Sequence, residues 1–131
     1  MKRILVVSSA NMDMVMNINS VPEAGQTVID NGYYTYVPGG KGANSAVAIS
    51  RLGGKCTFLT RVGRDANADA LLSLYEREGI NTAYIKQDSD APTGLATIFV
   101  EKSGQNRIIV FAGANQKRDN ESVTDAFNDT P

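Results

Sequence analysis

The feature that most constrains this chain is a cluster of glycines set against a helix of small residues. Gly39-Gly40-Lys41-Gly42 stands directly before Ala43 to Leu52, where Ala43, Ala46, Val47, Ile49 and Leu52 recur at helical spacing and Gly53-Gly54 supplies a stop. A helix this apolar and this short in side chain has to pack tightly on a sheet. Glycines at its start permit positive φ and let a ligand approach the backbone. The first helical N–H groups are unpaired and point at whatever binds there.

The rest of the chain supplies the sheet. Ile4 to Val7 is a continuous apolar run, which suits a parallel strand covered on both faces. Met14, Met16 and Ile18 alternate with polar and apolar neighbours, a weaker strand signal. Val21 to Gly25 is a turn, and Thr27 to Val37 reads as a β-hairpin or kinked strand pair bent at Asn31-Gly32 and ended by Pro38-Gly39-Gly40. Thr57 to Val62 is the next strand. Asp65 is placed to cap a helix reaching to about Glu78, with Ala68, Leu71, Leu72 and Tyr75 as its apolar stripe and Gly79 as its C′ residue. Ala83 to Lys86 is a short strand, and Gly94 to Val100 and Arg107 to Phe111 form a hairpin around a polar turn. Asp119 to Phe127 begins a last helix.

This order predicts an α/β fold, with one domain in 131 residues. Two β-rich excursions, near residues 14–37 and 94–112, interrupt the strand–helix alternation and are expected to pair into a small sheet of their own, a lid.

Composition narrows the function. A net charge of −1 with scattered Lys and Arg gives no footprint for nucleic acid or an anionic membrane. One cysteine, Cys56, rules out an internal disulfide and fits a reducing compartment. There is no histidine, so acid–base chemistry falls to Asp or Glu and no metal site is expected. Ile4 to Val7 is too short for a signal peptide or a membrane span. A cytoplasmic protein is expected.

Two groups of residues carry recognisable chemistry. In Gly39-Gly40-Lys41-Gly42-Ala43-Asn44, Lys41 adds a charged donor and Asn44 both a donor and an acceptor, a set able to grip hydroxyls or an anion. It is not a Walker A loop, because Lys41 is followed by Gly42, nor a dinucleotide fingerprint, because Val7 leads into Ser8-Ser9-Ala10. Taken alone, the segment reads equally well as a glycine-rich turn plus a helix start. Asn11 and Asp13 follow the first strand, where open α/β sheets place ligands, and together they suit a sugar diol. Alone they also fit an Asx turn closing the strand.

Joined, these segments resemble a known family. Gly39 to Ala46, with Gly53 and Gly63 at the observed spacing, is similar to the N-terminal signature of the PfkB carbohydrate kinases. Asn11-Met12-Asp13, Pro22 to Thr27, Lys41 and Ala112-Gly113-Ala114-Asn115 look specifically like the ribokinases within it, and the likeness runs from about Ile4 to Asn115. It departs where Gly63-Arg64-Asp65 is followed by Ala68 instead of a second glycine.

The resemblance implies the N-terminal part of a three-layer ribokinase-like fold, with residues 1–131 an incomplete kinase domain. It implies that Asn11 and Asp13 hydrogen-bond sugar hydroxyls, that Gly39, Gly40, Lys41, Gly42 and Asn44 hold the other side of the ring, and that Ala96 and Val110 line the lid. It implies ATP and Mg as cofactors, a pentose as substrate, phosphorylated on its primary hydroxyl, and a homodimer formed through lid strands. The Gly-Ala-Gly-Asp segment that carries the family's base, and its Asn-x-x-Glu element, are not in these residues. The chain is therefore expected to hold sugar without transferring phosphate. Other readings are a non-catalytic binding protein, or part of a kinase for fructose or a nucleoside. An open sheet cut here leaves an uncovered edge, so the isolated chain is expected to associate or be marginally stable.

Overall fold

The computed structural model describes residues 2–129. In chain order it contains β1 (Arg3–Val7), β2 (Asn11–Ile18), β3 (Tyr33–Gly39), α1 (Lys41–Arg51), β4 (Lys55–Val62), α2 (Ala66–Arg77), β5 (Ile85–Gln87), β6 (Gly94–Glu101), β7 (Asn106–Phe111) and α3 (Asn120–Asp129), with a 3₁₀ turn at Gly113–Lys117. They form two sheets. β1, β4 and β5 make a parallel sheet with β4 in the middle. The second sheet has the order β3-β2-β6-β7 and consists of two antiparallel hairpins joined by a parallel β2–β6 seam. The two excursions therefore pair with each other, as their spacing predicted.

The core lies between the parallel sheet and its helices. Phe58 and Val62 of β4 are buried with Ala43 and Ala46 of α1 and with Ala68, Leu71 and Tyr75 of α2. The Phe58 and Tyr75 rings meet edge to face at 5.4 Å, an arrangement worth about 0.5–1.5 kcal/mol beyond area burial. Small residues at 42, 43 and 46 are what allow α1 this close to the sheet. α3 lies against β1 and β4 on the side of Leu59, with Ser122 bordering the same small cavity. Helices thus cover both faces of the sheet, which gives the three layers expected. Among the described residues no helix is long and apolar enough to cross a membrane.

The start of α2 follows the sequence closely. Asp65 caps it by accepting the Ala68 N–H at 2.9 Å, and Gly79 closes it with φ of 76°. Asp65 also holds Thr93, accepting its N–H at 2.9 Å and its hydroxyl at 2.6 Å.

Three expectations need correction. Thr27 to Val37 is not a hairpin: only Tyr33–Gly39 is a strand, and its partner is β2. Asp30 accepts the N–H groups of Asn19 and Gly32, which ties residues 19–32 into a loop and leaves Ile29 95% exposed. Pro38 and Gly39 extend the strand instead of ending it, which a proline permits because β3 is a sheet edge. Leu52 belongs to no core: it falls beyond the last turn of α1, where Gly53 turns the chain, and is 89% exposed.

Candidate functional site

β2 begins at Asn11, so Asn11 and Asp13 stand on the strand itself and not in a turn that closes β1. Strand alternation puts both side chains on one face. The register carries that face across the small sheet. Val37, Asp13, Ala96 and Val110 form one row over four strands, and Asn11 lies beside Gly39 and Gly94 in the next. Ala96 is buried and Val110 is exposed.

The glycine loop comes directly against this row, for a reason other than the one its sequence suggested. A Cβ on Gly39 would lie 2.6 Å from Asp13 Cγ, so the missing side chain makes room for the Asp13 carboxylate. Gly40 has φ of 96°, and a Cβ there would come 2.7 Å from the Ser9 carbonyl oxygen. A Cβ on Gly42 would land on Ser8. The glycines let the turn between β1 and β2 approach α1, where the Ala43 N–H donates to the Ser9 carbonyl at 3.3 Å. Lys41 and Asn44 project from the first turn of α1, exposed and without a side-chain hydrogen bond among the described residues. Asn44 borders a groove with Pro38, Gly39, Val47 and Tyr75.

The two segments singled out in the sequence are thus neighbours. The Asp13 carboxylate accepts no hydrogen bond among the described residues, and partial burial pushes its pKa above the ordinary 3.8. A half-desolvated acceptor without a partner is suited to an incoming hydroxyl.

Sequence reasoning left Asn115 without a role. It is 7% exposed and packs on β2: the Ala10 N–H donates to its Oδ1 at 3.1 Å, and its Nδ2 donates to the Ala10 carbonyl at 3.1 Å and to Asn11 Oδ1 at 2.8 Å. Its sequence signals were its place just after a strand and its part in the ribokinase-like Ala112-Gly113-Ala114-Asn115. The departure at residue 68 has a simple account, since Ala68 is fully buried in the first turn of α2. Gly63 is held to its identity by contact, because a Cβ there would meet the Thr93 nitrogen at 2.6 Å.

No three His, Cys, Asp or Glu side chains cluster among the described residues.

Known proteins resemble this chain over most of its length. The chain is 42% identical over 115 residues to a bifunctional ribokinase/ribose-5-phosphate isomerase A of Fructilactobacillus sanfranciscensis, covering 88% of this chain and 21% of that protein. The ribokinase structure from Giardia lamblia superposes with a TM-score of 0.85 at 37% identity, covering 95% of this chain and 40% of that one. The structure of Arabidopsis thaliana ribokinase complexed with ribose and ATP gives 0.81 at 32% identity, covering 87% and 36%. The chain spans 21% to 41% of the length of the curated relatives it matches. The sequence profile described as pfkB family carbohydrate kinase matches residues 1–129, and the chain therefore belongs to the PfkB family of carbohydrate kinases.

Proposed function

We propose that this chain is the sugar-holding part of an ATP-dependent kinase that phosphorylates the primary hydroxyl of a pentose, ribose in the first instance. The observation that carries the reading is the meeting of Asn11 and Asp13 with the Gly39–Asn44 loop on one face of the small sheet. Asp13 accepts from a sugar hydroxyl and Asn11 bonds its neighbour. Backbone groups of Gly39, Gly40 and Gly42, with Lys41 and Asn44, hold the opposite side of the ring. Ala96 and Val110 form an apolar wall in the row of Asp13, and the small sheet acts as a lid. A relative whose structure holds ribose and ATP supports both the sugar and the nucleotide.

In this reading, the residues that bind ATP and Mg and take the hydroxyl proton lie outside these 131. Positioning and charge stabilisation are what phosphoryl transfer requires, and this chain supplies only the sugar's share of the positioning. Calorimetric titration with ribose, fructose and adenosine tests the substrate: heat with ribose and none with the other two is the expected result, and no heat with ribose defeats the reading. Incubation with ribose, ATP and Mg is expected to yield no ribose phosphate.

The small sheet is also the proposed dimer contact. Tyr34, Tyr36, Ile109 and Phe111 line one of its faces by register, and each is more than half exposed. Light scattering is expected to give twice the monomer mass, and replacing Tyr36 and Ile109 with Lys is expected to return it to one.

A further inference from the structure

The amide of Asn115 has only one possible orientation. A backbone N–H only donates and a backbone carbonyl only accepts. Because Ala10 presents one of each to Asn115, at 3.1 Å in both cases, the oxygen and nitrogen of that side chain cannot be exchanged. The second hydrogen of Asn115 Nδ2 points to Asn11, 2.8 Å away. The atom receiving it has to be an acceptor, so Asn11 faces Asn115 with Oδ1. Its Nδ2 is turned the other way and has no partner among the described residues. Gly94 fits over this bond, since a Cβ there would strike both Asn11 Oδ1 and Asn115 Nδ2.

We infer that Asn115 is a positioning residue that fixes the polarity of the sugar site, holding the Asn11 oxygen toward itself and leaving the Asn11 amide hydrogens as the free donors next to Asp13, an acceptor. The inference rests on the sugar-binding reading proposed above. A carboxamide free to flip would meet either the hydrogen or the lone pair of a hydroxyl. Held by Asn115, it turns its oxygen inward and offers its two hydrogens. The ligand it selects is a polyol with adjacent hydroxyls, one accepting from Asn11 and the other donating to Asp13. A sugar lacking the hydroxyl at Asn11 leaves that N–H unpaired inside a half-closed site.

The test has one arm without sugar and one with it. In proton–nitrogen spectra of the whole chain, the Asn115 side-chain amide hydrogens are expected to exchange slowly with water and those of Asn11 quickly. Slow exchange at Asn11 with fast exchange at Asn115 overturns the inference whether or not the chain binds sugar. In the second arm, Asn115→Asp lets an oxygen replace the donor, so Asn11 turns to donate inward and presents its oxygen to the ligand. Ribose affinity is expected to fall by about tenfold, the loss of roughly one hydrogen bond. In an Asn11→Ala background the same change is expected to alter affinity less than about twofold. Equal losses in both backgrounds mean a merely structural role and refute the inference. Should Asn115→Asp fail to fold, Asn11→Asp decides: it still accepts from Asn115 but has no hydrogens to offer, so ribose affinity is expected to drop while the urea midpoint holds. Unchanged affinity in Asn11→Asp overturns the proposal. If the unaltered chain binds no ribose, the sugar reading fails, and the exchange measurement alone decides the orientation of Asn11.

Discussion

Gly39→Ala isolates the contact that joins the glycine loop to Asp13. The three atoms nearest a Cβ at residue 39 all belong to the Asp13 carboxylate, two of them at 2.6 Å. Ordinary contact begins near 3.5 Å, so the carboxylate or the strand has to shift by about 1 Å. Overpacking of this kind costs about 1–3 kcal/mol. Residue 39 is not among the positive-φ glycines, so alanine adds no backbone strain and instead returns about 0.5–1 kcal/mol by stiffening the unfolded strand. The net expectation is a loss of about 0.5–2 kcal/mol, read as a lower urea midpoint with unchanged slope. In an Asp13→Ala background the obstructing atoms are gone and the sign should reverse, with alanine at 39 neutral or stabilising. Ribose affinity in the single variant should drop with the displaced carboxylate. If Gly39→Ala costs the same with and without the Asp13 carboxylate, the contact is not what keeps residue 39 a glycine and the reasoning fails.

Three further outcomes follow from the same geometry. Asp65→Ala removes the α2 cap and both bonds to buried Thr93, for an expected loss of about 2–4 kcal/mol at neutral pH in urea titration. Burial pushes the Asp65 pKa up, but the Thr93 hydroxyl and the Thr93 and Ala68 N–H groups outweigh it and hold the carboxyl below 3.8. Its contribution is therefore full above that value and fades as pH falls through the lowered one, so the two proteins should converge in stability in strong acid. Asp13 has the opposite sign, because burial raises its pKa above 3.8. Its ionisation costs stability at neutral pH and not below 3.8, so Asp13→Asn should raise the urea midpoint near neutrality, leave it unchanged in acid, and weaken ribose binding. Gly40→Ala combines a φ of 96° with a Cβ 2.7 Å from the Ser9 carbonyl and should lose at least about 1–2 kcal/mol in the same titration, in any background at residue 13.

Local chemistry was readable from the sequence, and long-range pairing was not. The Asp65 cap, the Gly79 stop and the small face of α1 depend on residues within a turn of each other, and the structure reproduces them. Thr27, Val28 and Ile29 have strand-forming side chains, but nothing covers them, and Asp30 offers the backbone a turn instead. Leu52 has the right helical phase, yet the helix ends one residue earlier. At the site, the sequence placed Asn11, Asp13 and the glycines near one another through a resemblance. It did not give the reason for the glycines, because the atoms they accommodate, from Ser8, Ser9 and Asp13, belong to the β1–β2 turn and to β2, some thirty residues upstream. The contacts of Asn115 were hidden in the same way, since its partners Ala10 and Asn11 lie about a hundred residues upstream.

The parallel seam between β2 and β6 also sets an order of assembly. Its partners Asn11 and Gly94 are roughly eighty residues apart, so the entropy of closing that loop has to be met before the seam yields any bonds. On a growing chain, the β2–β3 ribbon emerges first and waits, with Met14, Met16, Tyr34 and Tyr36 along one side and an unpaired edge, until β6 has been made. The sheet that carries Asn11 and Asp13 is therefore completed only after β2 and β3 have waited, and until then its free edge is open to pairing with another copy.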